Sequence, residues 1–505
     1  VHRVPTSKRF LLSASLFATL GASLFATPAV YAGYDPSADA YSMRKTTTFI
    51  GARQWWSAGY TGKGVDVALI DSGVSPVKGL DGSNKLAYGP DLSFESQSPQ
   101  LRNLDTFGHG TFMAGLIAGN DDPTAGNDPA ASVYRGVAPG ARIVSLKVAT
   151  ADGGTDVSQV IAAIDWVVQH RNDPGMNIRV LSLSYGTNST QKYGIDPLAY
   201  AAERAWKAGI VVVAAAGNTG YQRDRSAPGL ADPAYDPYVI AVGGYDSNGT
   251  ATTSDDVMGA YSASASVGSA KNPDFVAVGS HVQGLRVPGS YIDQTHPEGL
   301  ISDRFFRGSG TSEATAIAAC AVALILQKYP SATPDAVKRL IAINAKNVPG
   351  TTTQVQGGGE IALSALASKA PVSWVQTYID ATGTGSLELS RGSDHVSMDG
   401  VALTGEQDIF GHQFDSSAMA TLEANGRSWT GGTWNGSAWA GDGWTGTTWD
   451  GRSWSGRSWT GRSWSTLSWS GNSWDGRSWS GRSWTGNSFS GGSWSGRSWS
   501  GGSWQ

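Results

Sequence analysis

The chain has 505 residues, enough for more than one folded unit, and a formal net charge of −4, which excludes a bulk electrostatic draw towards nucleic acid or an anionic membrane. Its single cysteine, Cys320, excludes an intramolecular disulfide framework, so stability must come from core burial. The charge is uneven: the last 80 residues carry seven Arg and three Asp with no Lys or Glu, a net of +4, against 30 basic and 38 acidic residues, −8, elsewhere.

In chain order, residues 1–32 read as an export signal. Arg3, Lys8 and Arg9 precede an apolar stretch from Phe10 to Phe25, and Pro28 to Ala32 offers small residues for cleavage after Ala32. Lys8-Arg9 is not a twin arginine, which favours the general secretion route. Residues 33–44 form a short polar lead. From 45 to 365, short runs rich in β-branched residues alternate with helical patterns. Val65–Ile70, Arg142–Val148, Ile178–Ser184, Ile210–Ala214 and Tyr238–Val242 are predicted strands buried on both faces. Residues 109–119, 156–170, 196–208 and 312–328 are predicted helices. Such alternation implies an α/β fold with a parallel sheet, which binds ligands beyond the carboxyl ends of its strands. The apolar run Ala314–Leu326 is too short to span a bilayer, which takes about 20 residues, so it reads as a core helix.

Three segments carry chemistry: Asp71-Ser72-Gly73, His109-Gly110-Thr111 and Gly310-Thr311-Ser312. Each alone is common in loops. Together they supply an acid, a base and a hydroxyl in the order Asp…His…Ser, which is the chain order of subtilisin. A serine hydroxyl is a poor nucleophile until a histidine takes its proton and a carboxylate holds that histidine in the right tautomer. On these motifs residues 45–365 resemble the subtilisin-like serine proteases (subtilases, peptidase S8). The resemblance implies a three-layer fold around a central parallel sheet. It implies Ser312 as nucleophile, His109 as general base and Asp71 as its orienting acid. Ala214-Ala215-Ala216-Gly217-Asn218 matches the segment that supplies an oxyanion-hole donor, so Asn218 takes that role by resemblance. Likewise Ser184-Tyr185-Gly186 and, opposite it, Gly153-Gly154 resemble the two edges between which an extended peptide is laid as an added strand.

The resemblance implies polypeptide substrates, no cofactor for catalysis, and a structural Ca2+. Loop carboxylates Asp81, Asp121, Asp122 and Asp232 are available, but no spacing identifies a calcium loop or any other metal site. The chain departs from the family pattern at Phe112-Met113 and at Glu313, where Met is usual. It also lacks the usual proline four residues after Ser312; Ala316 stands there. None of these changes removes a reacting group. Only about a dozen residues separate Ala32 from the catalytic region, where many secreted subtilases carry a long pro-domain. Cys320 reads as a small buried hydrophobe.

Residues 366–425 are a mixed segment or linker. From Gly426 to Gln505 run sixteen pentads of the form Gly-x-Ser-Trp-x, holding 15 of the 20 Trp. A period of five is not helical, and in a straight strand it sends successive Trp to opposite faces. A β-solenoid with external Trp ladders and a flexible Gly/Ser chain both fit. Exposed Trp beside Arg suits attachment to a polysaccharide or cell wall; self-association, or no partner at all, also fits. The reading is a secreted serine endopeptidase, with no nucleic-acid partner and no membrane span once the signal is removed. The alternative is an adhesive surface protein whose protease domain only processes it.

Overall fold

The computed structural model describes residues 33–438 apart from 98–100, 127–129, 131, 222–228, 266–270, 394 and 399–400, together with the backbone of 459–461. The expected signal and most of the pentads lie outside the described residues.

Six parallel strands form the centre of the molecule: β1 (Asp66–Asp71), β2 (Leu86–Asp91), β3 (Arg142–Lys147), β4 (Ile178–Leu183), β5 (Val211–Ala215) and β6 (Ile240–Asp246). Their order is β2-β3-β1-β4-β5-β6. β1 lies between β3, with Asp71 opposite Lys147, and β4, with Ile70 opposite Leu183. β7 (Val257–Met258) joins β6 antiparallel and β8 (Phe275–Val278) joins it parallel, so the sheet is mostly rather than wholly parallel. β1 and β5 are buried at every position, so both faces of the sheet are covered, as their β-branched sequences predict.

The covering helices start where their sequences place caps. The Asp156 carboxylate accepts from Ser158 N, and Gln159 reaches back to complete a capping box ahead of Val157–His170. Asp196 followed by Pro197 opens Pro197–Lys207, and Thr333 followed by Pro334 opens Pro334–Asn344. These first two helices pack together. The histidine helix His109–Ala118 packs on the serine helix Thr311–Lys328, which lies along β4, β5, β6 and β8. Thr311 to Leu326 is buried throughout, as befits a helix apolar on all sides. Cys320 is buried within it, donating to Ala316 O at 2.8 Å, and burial pushes its thiol well up. Among the described residues no helix is long and apolar enough to cross a membrane. A hairpin of β9 (Val282–Leu285) and β10 (Phe305–Gly308) lies beside the histidine helix.

Residues 366–438 run over helices 157–170 and 197–207. The anchor is Arg391, fully buried, whose Nε donates to the equally buried Asp156 at 2.7 Å and whose Nη1 donates to Gly405 O at 2.7 Å. Ser390 Oγ donates to Asp196 at 2.8 Å, and Ala381 N to Glu203 at 2.8 Å. β11 (Val396–Met398) pairs with β12 (Val401–Ala402). The first pentads then make a three-stranded meander of β13 (Trp429–Thr430), β14 (Thr433–Trp434) and β15 (Ser437–Ala438). The turns are Gly431-Gly432 and Asn435-Gly436, with φ of 59°, 80°, 46° and 78°, the left-handed pairs that tight hairpins need. For these pentads the outcome is a hairpin meander, neither a solenoid with external Trp ladders nor a flexible chain. The glycine reverses the chain, so Trp429 and Trp434 stand opposite each other on one face. Both rings are buried. Trp429 Nε1 donates to Ala162 O and Trp434 Nε1 to Asp165 Oδ2, each at 2.7 Å. The backbone of β16 (Trp459–Gly461) pairs with β11.

Candidate active site

Asp71 ends β1, the strand at which the strand order reverses and where open α/β sheets bind their ligands. Its carboxylate oxygens lie 2.7 and 2.9 Å from His109 Nδ1, and both side chains are buried. Ser72 N donates to Asp71 Oδ1 at 2.7 Å, fixing the carboxylate from behind. The histidine helix can come this close because Gly110 has no side chain: a Cβ there would lie 2.1 Å from Gly73 O. Gly73 turns away from β1 with φ +103°, a conformation that favours glycine.

One support was not singled out from the sequence. Asp105, fully buried, accepts from Gly108 N at 2.6 Å and Thr111 N at 2.7 Å, capping the histidine helix. Ser72 Oγ joins it at 2.8 Å and accepts from Gly110 N at 2.9 Å. A carboxylate three residues ahead of Gly108-His109 is the cap signal that would have found it. For His109, burial pushes the pKa down, but Asp71, then Glu313 and Asp105, push harder, and it ends above its ordinary value. The imidazolium that forms during proton transfer is thereby favoured.

Ser312 is the second residue of its helix and is fully buried; its Oγ makes no hydrogen bond among the described residues. Catalytic hydrogen bonds often tighten only once substrate is present. Asn218, three residues past β5, accepts at Oδ1 from Thr311 N and from Thr311 Oγ1, both at 2.9 Å. These two donors set which way the amide points and leave its NH2 as the donating end. Thr311 is thus a second support missed in the sequence, legible only as the neighbour of the serine.

Among the expected substrate-binding residues, Ser184 Oγ donates to Ser312 O at 3.4 Å, and Tyr185 is buried beside it. Gly186 is tight against Ala231, whose Cβ would lie 2.7 Å from an added Cβ. Gly153 and Gly154 stand in the turn Thr150–Gly154. There Gly153 N donates to Thr150 O and Gly154 N to Asp152 Oδ1, so both N–H groups are taken up within the turn. The four loop carboxylates do not converge. Asp121 pairs with Arg304, Asp122 bonds Thr124, Asp81 accepts from Gly79 N, and Asp232 is raised by burial and then by Asp196. Among the described residues no three Asp, Glu, His or Cys side chains gather as a cation site.

A sequence model of the subtilase family matches residues 62–359. The chain is 35% identical over 305 residues to serine protease AprX of Bacillus subtilis (strain 168), covering 60% of this chain and 65% of AprX. It is 31% identical over 291 residues to subtilisin DY of Bacillus licheniformis, covering 57% and 86%. It is 30% identical over 284 residues to the minor extracellular protease Epr of Bacillus subtilis (strain 168), covering 56% and 35%. The chain thus spans just under two thirds of AprX and about a third of Epr.

Proposed function

Since the chain belongs to the subtilase family of serine-type endopeptidases, we propose that it hydrolyses peptide bonds through an acyl-enzyme on Ser312. Ser312 Oγ attacks the scissile carbonyl as His109 Nε2 takes its proton. The oxyanion is held by the Asn218 NH2 and the Ser312 backbone N–H at the positive end of the serine helix. His109 then protonates the leaving amine, and water repeats the sequence to release the acid. Asp71 keeps Nδ1 protonated throughout. The observation that carries the reading is the buried Asp71–His109 contact at 2.7 Å. A fluorophosphonate label tests it: the protein should label and cleave casein, and Ser312→Ala should do neither. Labelling that persists in Ser312→Ala would reject the assignment.

The proposal extends to export through residues 1–32, in keeping with the extracellular relative Epr, and to attachment of the enzyme to a polysaccharide or cell wall by the pentads beyond residue 438. An aromatic ring recurring every five residues, with Arg in seven of the sixteen pentads, supports that role through ring stacking and cation–π contact. Cell-wall pull-down with the full chain, against a chain ending at residue 438, tests it. Equal retention of the two would reject it. A structural Ca2+ is proposed on the resemblance alone; a melting temperature unmoved by EDTA would reject it.

A further inference from the structure

Glu313 follows Ser312 directly and occupies the first turn of the serine helix, yet the reaction above gives it no task. It is fully buried, and neither carboxyl oxygen hydrogen-bonds another residue among the described ones. A carboxylate so placed must either stay neutral or be balanced by a nearby positive charge. The charged and titratable groups coupled to it lie on three segments. His109 on the histidine helix is the one that can become positive, and Asp71 at the end of β1 is negative. Tyr261 faces it from the segment after β7, its hydroxyl 3.1 Å from Ser280 Oγ. Burial holds Tyr261 far above its ordinary value, so it stays neutral. Burial likewise pushes Glu313 up to about 8, while His109 pulls it back down. The influence is mutual, because Glu313 is one of the groups that raise His109.

We propose that Glu313 is a positioning residue of the proteolytic reaction that acts through His109, competing with the imidazole for one proton and setting the pH at which the base becomes free. This rests on the endopeptidase reading above. Three protonation states follow. With both groups protonated, His109 cannot accept the Ser312 proton. With one proton gone, the site divides between neutral imidazole beside a carboxylic acid, which is competent, and imidazolium beside a carboxylate, which is idle. With both gone, His109 is neutral and competent beside a negative Glu313. Two groups coupled this way lose their protons in two macroscopic steps. During attack the Oγ proton goes to His109 Nε2, the Oγ–C bond forms and the carbonyl π pair moves to oxygen. Glu313 takes no proton in that step, and its field acts only on the imidazolium.

The test is the kcat/KM profile from pH 5 to 10 for the wild type, Glu313→Gln, Glu313→Met and Glu313→Asp on a small chromogenic peptide. Melting curves for each are taken in a Ser312→Ala background. The wild type and Glu313→Asp should rise in two steps. The Gln and Met variants should rise in one, about one pH unit lower, as expected for removal of a neighbouring charge. At pH 6 they should keep roughly five- to tenfold more of their own plateau rate than the wild type keeps of its own. A Glu313→Gln profile that superimposes on the wild type, with melting unchanged, overturns the proposal. Should the Gln and Met variants fail to fold, an NMR titration of the His109 ring in Ser312→Ala decides: two inflections support the proposal and one overturns it. Failure of the endopeptidase reading looks different, since no variant would cleave at any pH while the titration would still judge the pair.

Discussion

Replacing Arg391 by Met removes the charge that pairs with Asp156 inside the protein. Both side chains are fully buried. Burial alone would raise Asp156, but Arg391 and the Ser158 hydroxyl outweigh it and hold the carboxyl below its ordinary range. Breaking a buried pair from one side leaves an uncompensated ion and costs about 3–5 kcal/mol. The guanidinium also donates to Gly405 O and Gln407 O. Those carbonyls are left short of a partner, so the upper half of that range is expected. Asp156→Asn in the same chain removes the stranded charge and still caps helix 157–170, since Asn caps as well as Asp. The double variant should therefore recover about 2 kcal/mol relative to the sum of the single losses. Urea unfolding in a Ser312→Ala background, which prevents self-digestion, measures all four corners of this cycle. An Arg391→Met loss below about 0.5 kcal/mol, or strictly additive losses, would refute the reasoning.

Trp434→Ala should cost about 3–5 kcal/mol in the same assay, because it opens a cavity under helix 157–170 and strips Asp165 of its indole donor. Gly436→Ala should cost about 1 kcal/mol: nothing crowds an added Cβ, but the φ of 78° is left-handed. Asp165 is pushed up to about 7 by burial, so the folded state holds its proton longer than the unfolded chain does. Stability should accordingly fall as pH rises from about 4 to 7, and Asp165→Asn should flatten that slope in melting curves taken across pH. Asn218→Ala should lower kcat about 10²–10³-fold with little change in KM, a range first seen on removing such a donor from a subtilisin; an unchanged kcat would remove Asn218 from the oxyanion site.

The elements read best from sequence were those whose burial is written in one short segment. The runs at 66–71, 142–147, 178–183 and 211–215 are β-branched because both faces are covered, and Asp156 and Asp196 cap the predicted helices they open; the helix Pro334–Asn344 was not predicted, although Thr333-Pro334 marks its start. β2 escaped because Leu-Ala-Tyr-Gly-Pro-Asp has neither alternation nor β-branching; its place at the edge of the sheet asks for neither. In the site, Asp71 and His109, which the structure joins, were legible because glycines and small residues mark each of them, and the same marks single out Ser312 as the candidate nucleophile. Asp105 was legible in principle as a carboxylate just ahead of the histidine helix, whereas Thr311 acts on the Asn218 side chain, 93 positions away. For the pentads a β-solenoid and a flexible chain both fit the sequence, because a period of five matches neither a helix nor a flat strand. In the described pentads Gly431-Gly432 and Asn435-Gly436 turn the chain in the left-handed region, and Asn-Gly is the one local sign of such a hairpin.

The Asp156 carboxyl joins two things that the sequence keeps 235 positions apart. It caps the helix that begins directly after the turn Thr150–Gly154, and it receives the guanidinium of the C-terminal segment. That turn carries Gly153 and Gly154, one of the two edges that the sequence resemblance would set beside an extended substrate. A strain on residues 386–438 is therefore felt first at the start of helix 157–170 and next at the turn before it, while Asp71, His109 and Ser312 are held by separate bonds to Ser72, Asp105 and the serine helix. Loosening the anchor should raise KM for extended peptides before it lowers kcat. An anchor variant that stays folded and loses kcat alone would mean that the segment reaches the triad by some other route.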